Sequence, residues 1–114
     1  MTTLYGIKNC DTVKKARSWL DQQPVEHKFH DFRIDGLTAP QVKGWIKALG
    51  LEVLINKRST TWKGLDDDAR ASLDEDSAVD LILANPTLIK RPLLEHNGEC
   101  HVGFKAAHYQ TLFI

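Results

Sequence analysis

The chain has 114 residues, 42% of them hydrophobic and 26% charged, with its basic and acidic side chains in formal balance. That length suits one domain with a core of its own, and the zero net charge argues against the basic excess that broad nucleic-acid or membrane-surface binding needs. No apolar run is long enough to span a bilayer, no secretory-signal pattern opens the chain, and the two cysteines, Cys10 and Cys100, are too few for a disulfide framework, so a cytoplasmic setting is expected.

Thr3 to Ile7 reads as a buried strand. After Lys8-Asn9-Cys10, either Asp11 or Thr12 caps a helix that carries Val13, Ala16 and Leu20 at helical spacing and ends before Pro24. His27 to Ile34 alternates, with Phe29, and Phe32 as a second candidate, on its apolar side; it reads as another strand. A strand–helix–strand unit of this kind favours parallel pairing and a right-handed crossover.

Thr38 is the expected N-cap of the next helix, whose apolar face is Val42, Trp45, Ile46 and Leu49 and whose stop is Gly50. Leu51 to Ile55 is short and apolar. The polar, basic run 56–63 reads as a loop. Asp66-Asp67-Asp68 reads as a solvated helix start, and Val79, Ile82 and Leu83 mark a helix closed by Asn85-Pro86.

Leu88 to Glu95 reads as a strand interrupted by Pro92, which suits a strand start, an edge or a cis turn. Asn97-Gly98 is a two-residue hairpin signal, with Glu99 to Val102 as the return strand. Gly103-Phe104 breaks it, and Lys105 to Phe113 reads as a final helix. The order β-α-β, helical middle, β-β-α is the thioredoxin type with helices inserted between its halves. The expected fold is therefore α/β, with a mixed four-stranded sheet. It forms a single domain over 1–114, with a thioredoxin-like core of 1–35 and 87–114 and a helical insertion at 36–86.

Chemistry centres on Cys10. Its place at the seam between a strand and a helix start sets the thiol among unpaired N–H groups at the positive end of the helix dipole, which favours the thiolate nucleophile. The competing reading is a small cysteine packed at a strand end. A dithiol motif would need a second cysteine at the position of Val13, so Cys10 is a monothiol within its loop. Closing a redox cycle then requires an outside thiol or Cys100.

Lys8, Lys14, Lys15 and Arg17 flank Cys10, while Arg58 and Arg91 lie on segments that the fold could bring near. Arg91 is favoured, because it adjoins Pro92 and its guanidinium can grip an oxyanion or carboxylate with two hydrogen bonds. The Arg91–Pro92 peptide is expected to be cis and to face Cys10. Asp11 opposes the thiolate unless its carboxylate is spent on capping. No metal site is expected: His96, Cys100 and His101 surround a hairpin, and strand neighbours such as Cys100 and His101 point to opposite faces.

Over Tyr5-Gly6-Ile7-Lys8-Asn9-Cys10-Asp11-Thr12-Val13-Lys14-Lys15-Ala16-Arg17 and Leu88-Ile89-Lys90-Arg91-Pro92-Leu93-Leu94 the chain resembles the ArsC/Spx family, and within it the YffB-like subgroup. The resemblance implies a nucleophilic Cys10 working with Arg91, and a substrate-binding set of Lys8, Asn9, Asp11, Thr12, Arg58 and Pro92. It further implies no bound cofactor or metal, glutathione as co-substrate, and a glutathione-dependent thiol reductase passing through a mixed disulfide. The expected partner is glutathione or another small anionic or thiol substrate. A monomer with no direct nucleic-acid or membrane contact is expected, and a protein partner is left open. Two other readings stay open, an Spx-like interaction protein and an arsenate reductase. Arsenate reductases of this family are similar at Cys10 and Arg91 but use two further arginines, where this chain carries Asn56 (with Arg58 nearby) and Gly103. The Val13 position departs from the C-x-x-C switch of many Spx-type regulators.

Overall fold

The computed structural model describes residues 2–113. Four strands form one sheet in the order β2-β1-β3-β4. They are β1 (Thr2–Gly6), β2 (Lys28–Asp31), β3 (Leu93–His96) and β4 (Glu99–Val102). β1 pairs in parallel with β2, across α1 (Asp11–Gln22), and antiparallel with β3, which forms a hairpin with β4. Asn97 and Gly98 close that hairpin with φ of 51° and 82°, the left-handed pair that a two-residue turn demands. The fold is thioredoxin-like, and its sheet is mixed.

Contacts divide the chain into two compact units, Met1–Asp35 with Arg91–Ile114, and Gly36–Lys90. In the first, one sheet face is apolar. Leu4 and Leu94 cluster with Ala16 and Leu20 of α1 and with Tyr109 of α7 (Ala106–Phe113), all fully buried. Ala16 and Leu20 are i and i+4 along α1, and Leu4 and Leu94 are paired across β1 and β3, so helix period and strand register aim at one core.

The second unit holds the helices between the halves: α2 (Ala39–Leu49), α3 (Leu51–Leu54), α4 (Thr60–Lys63), α5 (Asp67–Ala71) and α6 (Glu75–Ala84). Val42, Trp45 and Ile46 of α2 are buried, as are Ala78, Val79 and Ile82 of α6, and the two helices pack together. Thr38 caps α2 in a full capping box with Gln41, and Gly50 stops it at φ 80°. The unit extends past residue 86 because Ile89 bridges Ile55, and the Lys90 amide donates to the Leu54 carbonyl at 2.9 Å.

Several expectations need correction. The run 56–63 is not all loop: Ser59 accepts from the Trp62 amide and starts α4. β2 spans four residues rather than eight, since the chain after Asp31 turns back on itself, with the Asp35 amide donating to the Asp31 carbonyl at 2.8 Å. No strand runs through Leu88 to Glu95. A 3₁₀ turn covers Pro86–Leu88 and β3 begins only at Leu93, because Pro92 has no N–H for the ladder. The α1 cap is Cys10 itself, with φ −96° and ψ 123°; Asp11 and Thr12 are the first two helical residues.

Candidate active site

Cys10 ends the β1–α1 loop. Its amide donates to the Ile7 carbonyl at 3.3 Å, a tight turn, and its carbonyl accepts the first helical bond from the Lys14 amide at 3.0 Å. The thiol is half-buried and makes no hydrogen bond to the first-turn amides, so it is a free sulfur at a helix start. Asp11 is exposed in the first turn and caps nothing, so its carboxylate is not diverted as the sequence allowed.

The loop is close to the sheet for a steric reason. A Cβ on Gly6 would sit 2.7 Å from Cγ2 of the fully buried Val13. Glycine at the end of β1 thus lets the first turn of α1, and Cys10 with it, descend onto the strand end.

Strand register builds the rest of the site. Gly6 pairs with Asp31 of β2. On the other side the last β1–β3 pair is Tyr5 with Leu93, so one step further along the register Pro92 lies beside Gly6. The Gly103 amide donates to the Pro92 carbonyl at 2.9 Å. Asp31, Gly6, Pro92 and Gly103 therefore form a row across the sheet end from which the Cys10 loop rises. The Arg91–Pro92 peptide is cis, and half-buried Arg91 enters β3 at this same end.

Of the residues singled out in the sequence, Lys8, Asn9, Cys10, Asp11 and Thr12 are thus on one loop and helix start, and Arg91 and Pro92 lie at the same end of the same sheet. Lys8 and Asn9 are exposed. Arg58 belongs to the Gly36–Lys90 unit, where it is exposed and its amide donates to Oδ1 of Asn56 at 3.1 Å. Arg17 is engaged elsewhere, its guanidinium carbon 4.2 Å from the centroid of the Phe29 ring.

Cys100 sits in a different setting. It pairs with Glu95, and burial pushes its thiol up from the usual range, with the Glu95 charge adding to the effect. Its neighbour His101 pairs with Leu94 on the α1 and α7 side, so Cys100 faces the opposite side of the sheet. The register sets Cys100 level with Glu95 and Thr3, two strands away from β1 and at least three residues short of Cys10. Strand spacings then put roughly 13 Å between Cys100 and Gly6, where the Cys10 loop leaves the sheet, about twice what a disulfide bridges. Among the described residues no three His, Cys, Asp or Glu side chains converge as a metal site, and no helix is long and apolar enough to cross a membrane.

Two residues of the site escaped the sequence reading. Gly6 could have been flagged by its place directly before the break, where close backbone approach wants glycine. Asp31 closes β2, and its signal was an aspartate at a strand end two residues before another amide, the Asx-turn pattern.

A model of the ArsC family matches residues 5–112. An uncharacterised protein of Haemophilus influenzae is 49% identical over 113 residues, covering 99% of each chain. The solved structure of a YFFB protein superposes with a TM-score of 0.95 at 42% identity, covering all of both chains. An arsenate reductase (ArsC) related protein from Brucella melitensis superposes with a TM-score of 0.79 at 45% identity, over 98% of this chain and 93% of that one.

Proposed function

The chain belongs to the ArsC family, and on that premise we propose that it is a thiol–disulfide oxidoreductase that uses glutathione and works through Cys10 alone. The observation that carries this reading is the pairing of one unengaged thiol at a helix start with a second thiol out of its reach. A nucleophilic cysteine that no internal cysteine can relieve must be relieved by an external thiol.

The chemistry balances in two exchanges. The Cys10 thiolate attacks the glutathione sulfur of a glutathionylated substrate. The Cys10–glutathione disulfide forms, the substrate disulfide breaks, and the released thiolate takes a proton. A second glutathione thiolate then attacks the glutathione sulfur, leaving Cys10 as thiolate and glutathione disulfide as product. One free glutathione is consumed: its sulfur and the one carried in by the substrate become the two halves of glutathione disulfide, and the substrate sulfur leaves as a thiol.

Roles follow position. Cys10 caps α1, so its sulfur, which must carry negative charge, sits at the positive end of the helix dipole. Arg91, entering β3 at the same sheet end, grips a glutathione carboxylate. Lys8, Asn9, Asp11 and Thr12 line the approach, and Pro92 presents backbone beside Gly6. No bound cofactor takes part, and the thiol-rich cytoplasm supplies the co-substrate to a monomer.

Arsenate is a poorer fit. Where arsenate reductases of the family carry further arginines, Asn56 uses its carboxamide on the Arg58 amide, and Gly103 has φ 80°, a conformation that disfavours arginine. Charge-assisted hydrogen bonds contribute about 1.5–3 kcal/mol each, so two missing guanidiniums weaken an oxyanion by about 3–6 kcal/mol.

The test is intact mass after incubation with oxidised glutathione. Wild type and Cys100→Ser should gain one glutathione, and Cys10→Ser none at that site. A chain that turns over arsenate and never takes up glutathione at Cys10 would be an arsenate reductase instead. A chain with neither reaction, which still docks a partner as Cys10→Ser, would be an Spx-like interaction protein.

A further inference from the structure

Asp31 is the one charged residue that is buried among the described residues, at 4% exposure. A buried carboxylate persists only where its oxygens find donors. Here each oxygen has a different one: Oδ1 accepts the Arg33 amide at 2.8 Å, and Oδ2 accepts the Lys8 amide at 3.3 Å. The first bond closes a local turn. The second reaches 23 residues back, to the loop that carries Cys10.

The turn that holds Asp31 is itself braced. The Asp31 amide donates to Oδ2 of Asp35 at 3.0 Å, the Asp35 amide returns to the Asp31 carbonyl at 2.8 Å, and the Phe32 amide donates to the Gly6 carbonyl at 2.9 Å. Lys8 and Asn9, by contrast, are exposed, and beyond buried Ile7 the Lys8 amide is where an Asp31 oxygen holds the loop. We propose that Asp31 is the positioning residue of the thiol: through the Lys8 amide it fixes the β1–α1 loop, and so the line along which the Cys10 sulfur meets a disulfide.

Position matters here because thiol–disulfide exchange needs the attacking sulfur in line with the bond that breaks, and a displacement of about 1 Å can cost up to 10²-fold in rate. Charge is the competing effect: a carboxylate beside the loop acts on the sulfur whatever line a reagent approaches along. Asp31→Asn separates the two effects. Asparagine has one oxygen for two amides. The shorter Arg33 bond keeps it, and the Lys8 amide is left facing an NH₂ group.

The inference rests on the thiol-exchange reading of Cys10. The experiment uses the full chain with Cys100→Ser, so that one thiol reports. Asp31→Asn in that background should slow exchange with oxidised glutathione, and with an aromatic disulfide such as dithiobis-nitrobenzoate, by about tenfold or more. Alkylation by iodoacetamide, which needs no alignment with a leaving sulfur, should hold or rise. The Lys8 amide should lose protection from hydrogen exchange while that of Arg33 keeps it. Disulfide reactions that are unchanged or faster would overturn the proposal, as would alkylation falling in parallel with them. Should Asp31→Asn not fold, hydrogen exchange of the parent chain decides: a protected Lys8 amide supports the tether, and an unprotected one overturns it. If the parent reacts with the aromatic disulfide but never with glutathione disulfide, the glutathione reading fails, and Asp31 is judged by the aromatic reagent alone.

Discussion

Gly6→Ala is the sharpest perturbation of the site that leaves its chemical groups in place. The new Cβ would lie 2.7 Å from Cγ2 and 3.3 Å from Cγ1 of Val13. Carbon atoms at rest sit about 3.5–4.0 Å apart, so the first turn of α1 must withdraw by about 1 Å. Overpacking of that size costs about 1–3 kcal/mol, or about 5–15 °C in Tm for a domain of this length. Cys10 caps the same turn and moves with it, so exchange with a disulfide should slow by about ten- to a hundredfold. Val13→Ala removes the two methyls that collide. Alone it loses about 1.6 kcal/mol of burial plus a cavity term. Combined with Gly6→Ala it opens the space the new Cβ needs, so the double variant should be more stable than the sum of the singles by about 1–2 kcal/mol and should regain most of the exchange rate. Denaturant unfolding and stopped-flow exchange, on all four chains of the cycle, measure both quantities. A Gly6→Ala chain that reacts like wild type, or a double variant as slow as Gly6→Ala, would refute the idea that close approach at Gly6 sets the thiol.

Cys100 should alkylate far more slowly than Cys10 at neutral pH, because burial and the Glu95 charge hold it as thiol, and Glu95→Gln should narrow the gap; iodoacetamide labelling followed by peptide mass reads both. The same raised value predicts that stability from Cys100 is complete below the ordinary thiol range and declines as pH rises through it, because the unfolded chain loses that proton first; Cys100→Ser should flatten the decline in alkaline denaturation curves. Asp74 is shifted the opposite way, its carboxyl held below the usual range by the Ser77 amide and hydroxyl. Its cap therefore stabilises above that range and fails as pH falls through the lowered value, and Asp74→Asn should remove this part of the acid sensitivity while keeping α6 capped. Gly103→Arg should destabilise the chain by about 1–2 kcal/mol from backbone strain at φ 80°, with Gly103→Asn milder, as urea midpoints would record.

Most of the framework was legible because single residues punctuate it. Pro24, Gly50 and Asn97-Gly98 end elements for reasons internal to their own backbones, and Val13, Ala16 and Leu20 are spaced for one helix face whatever they meet. What escaped was set by partners distant in sequence. Asp31 reads as a polar strand end until the Lys8 amide is found on its oxygen. Gly6 reads as a strand residue until Val13 is found above it. Cys10 displaced Asp11 and Thr12 as the cap because the tight Ile7–Cys10 turn begins the helix one residue early. The short α4 was hidden in a polar run because one Ser59 hydroxyl, rather than an apolar stripe, starts it. The separation of Cys10 from Cys100 needed the strand register, which no local pattern supplies.

The central claim is that one thiol turns over with help from outside the chain. A glutathionylated peptide supplied with excess glutathione tests it, with glutathione disulfide followed as product. Wild type and Cys100→Ser should turn over steadily, and Cys10→Ser should show nothing above the uncatalysed rate. Turnover that survives Cys10→Ser, or that disappears with Cys100→Ser, would contradict it.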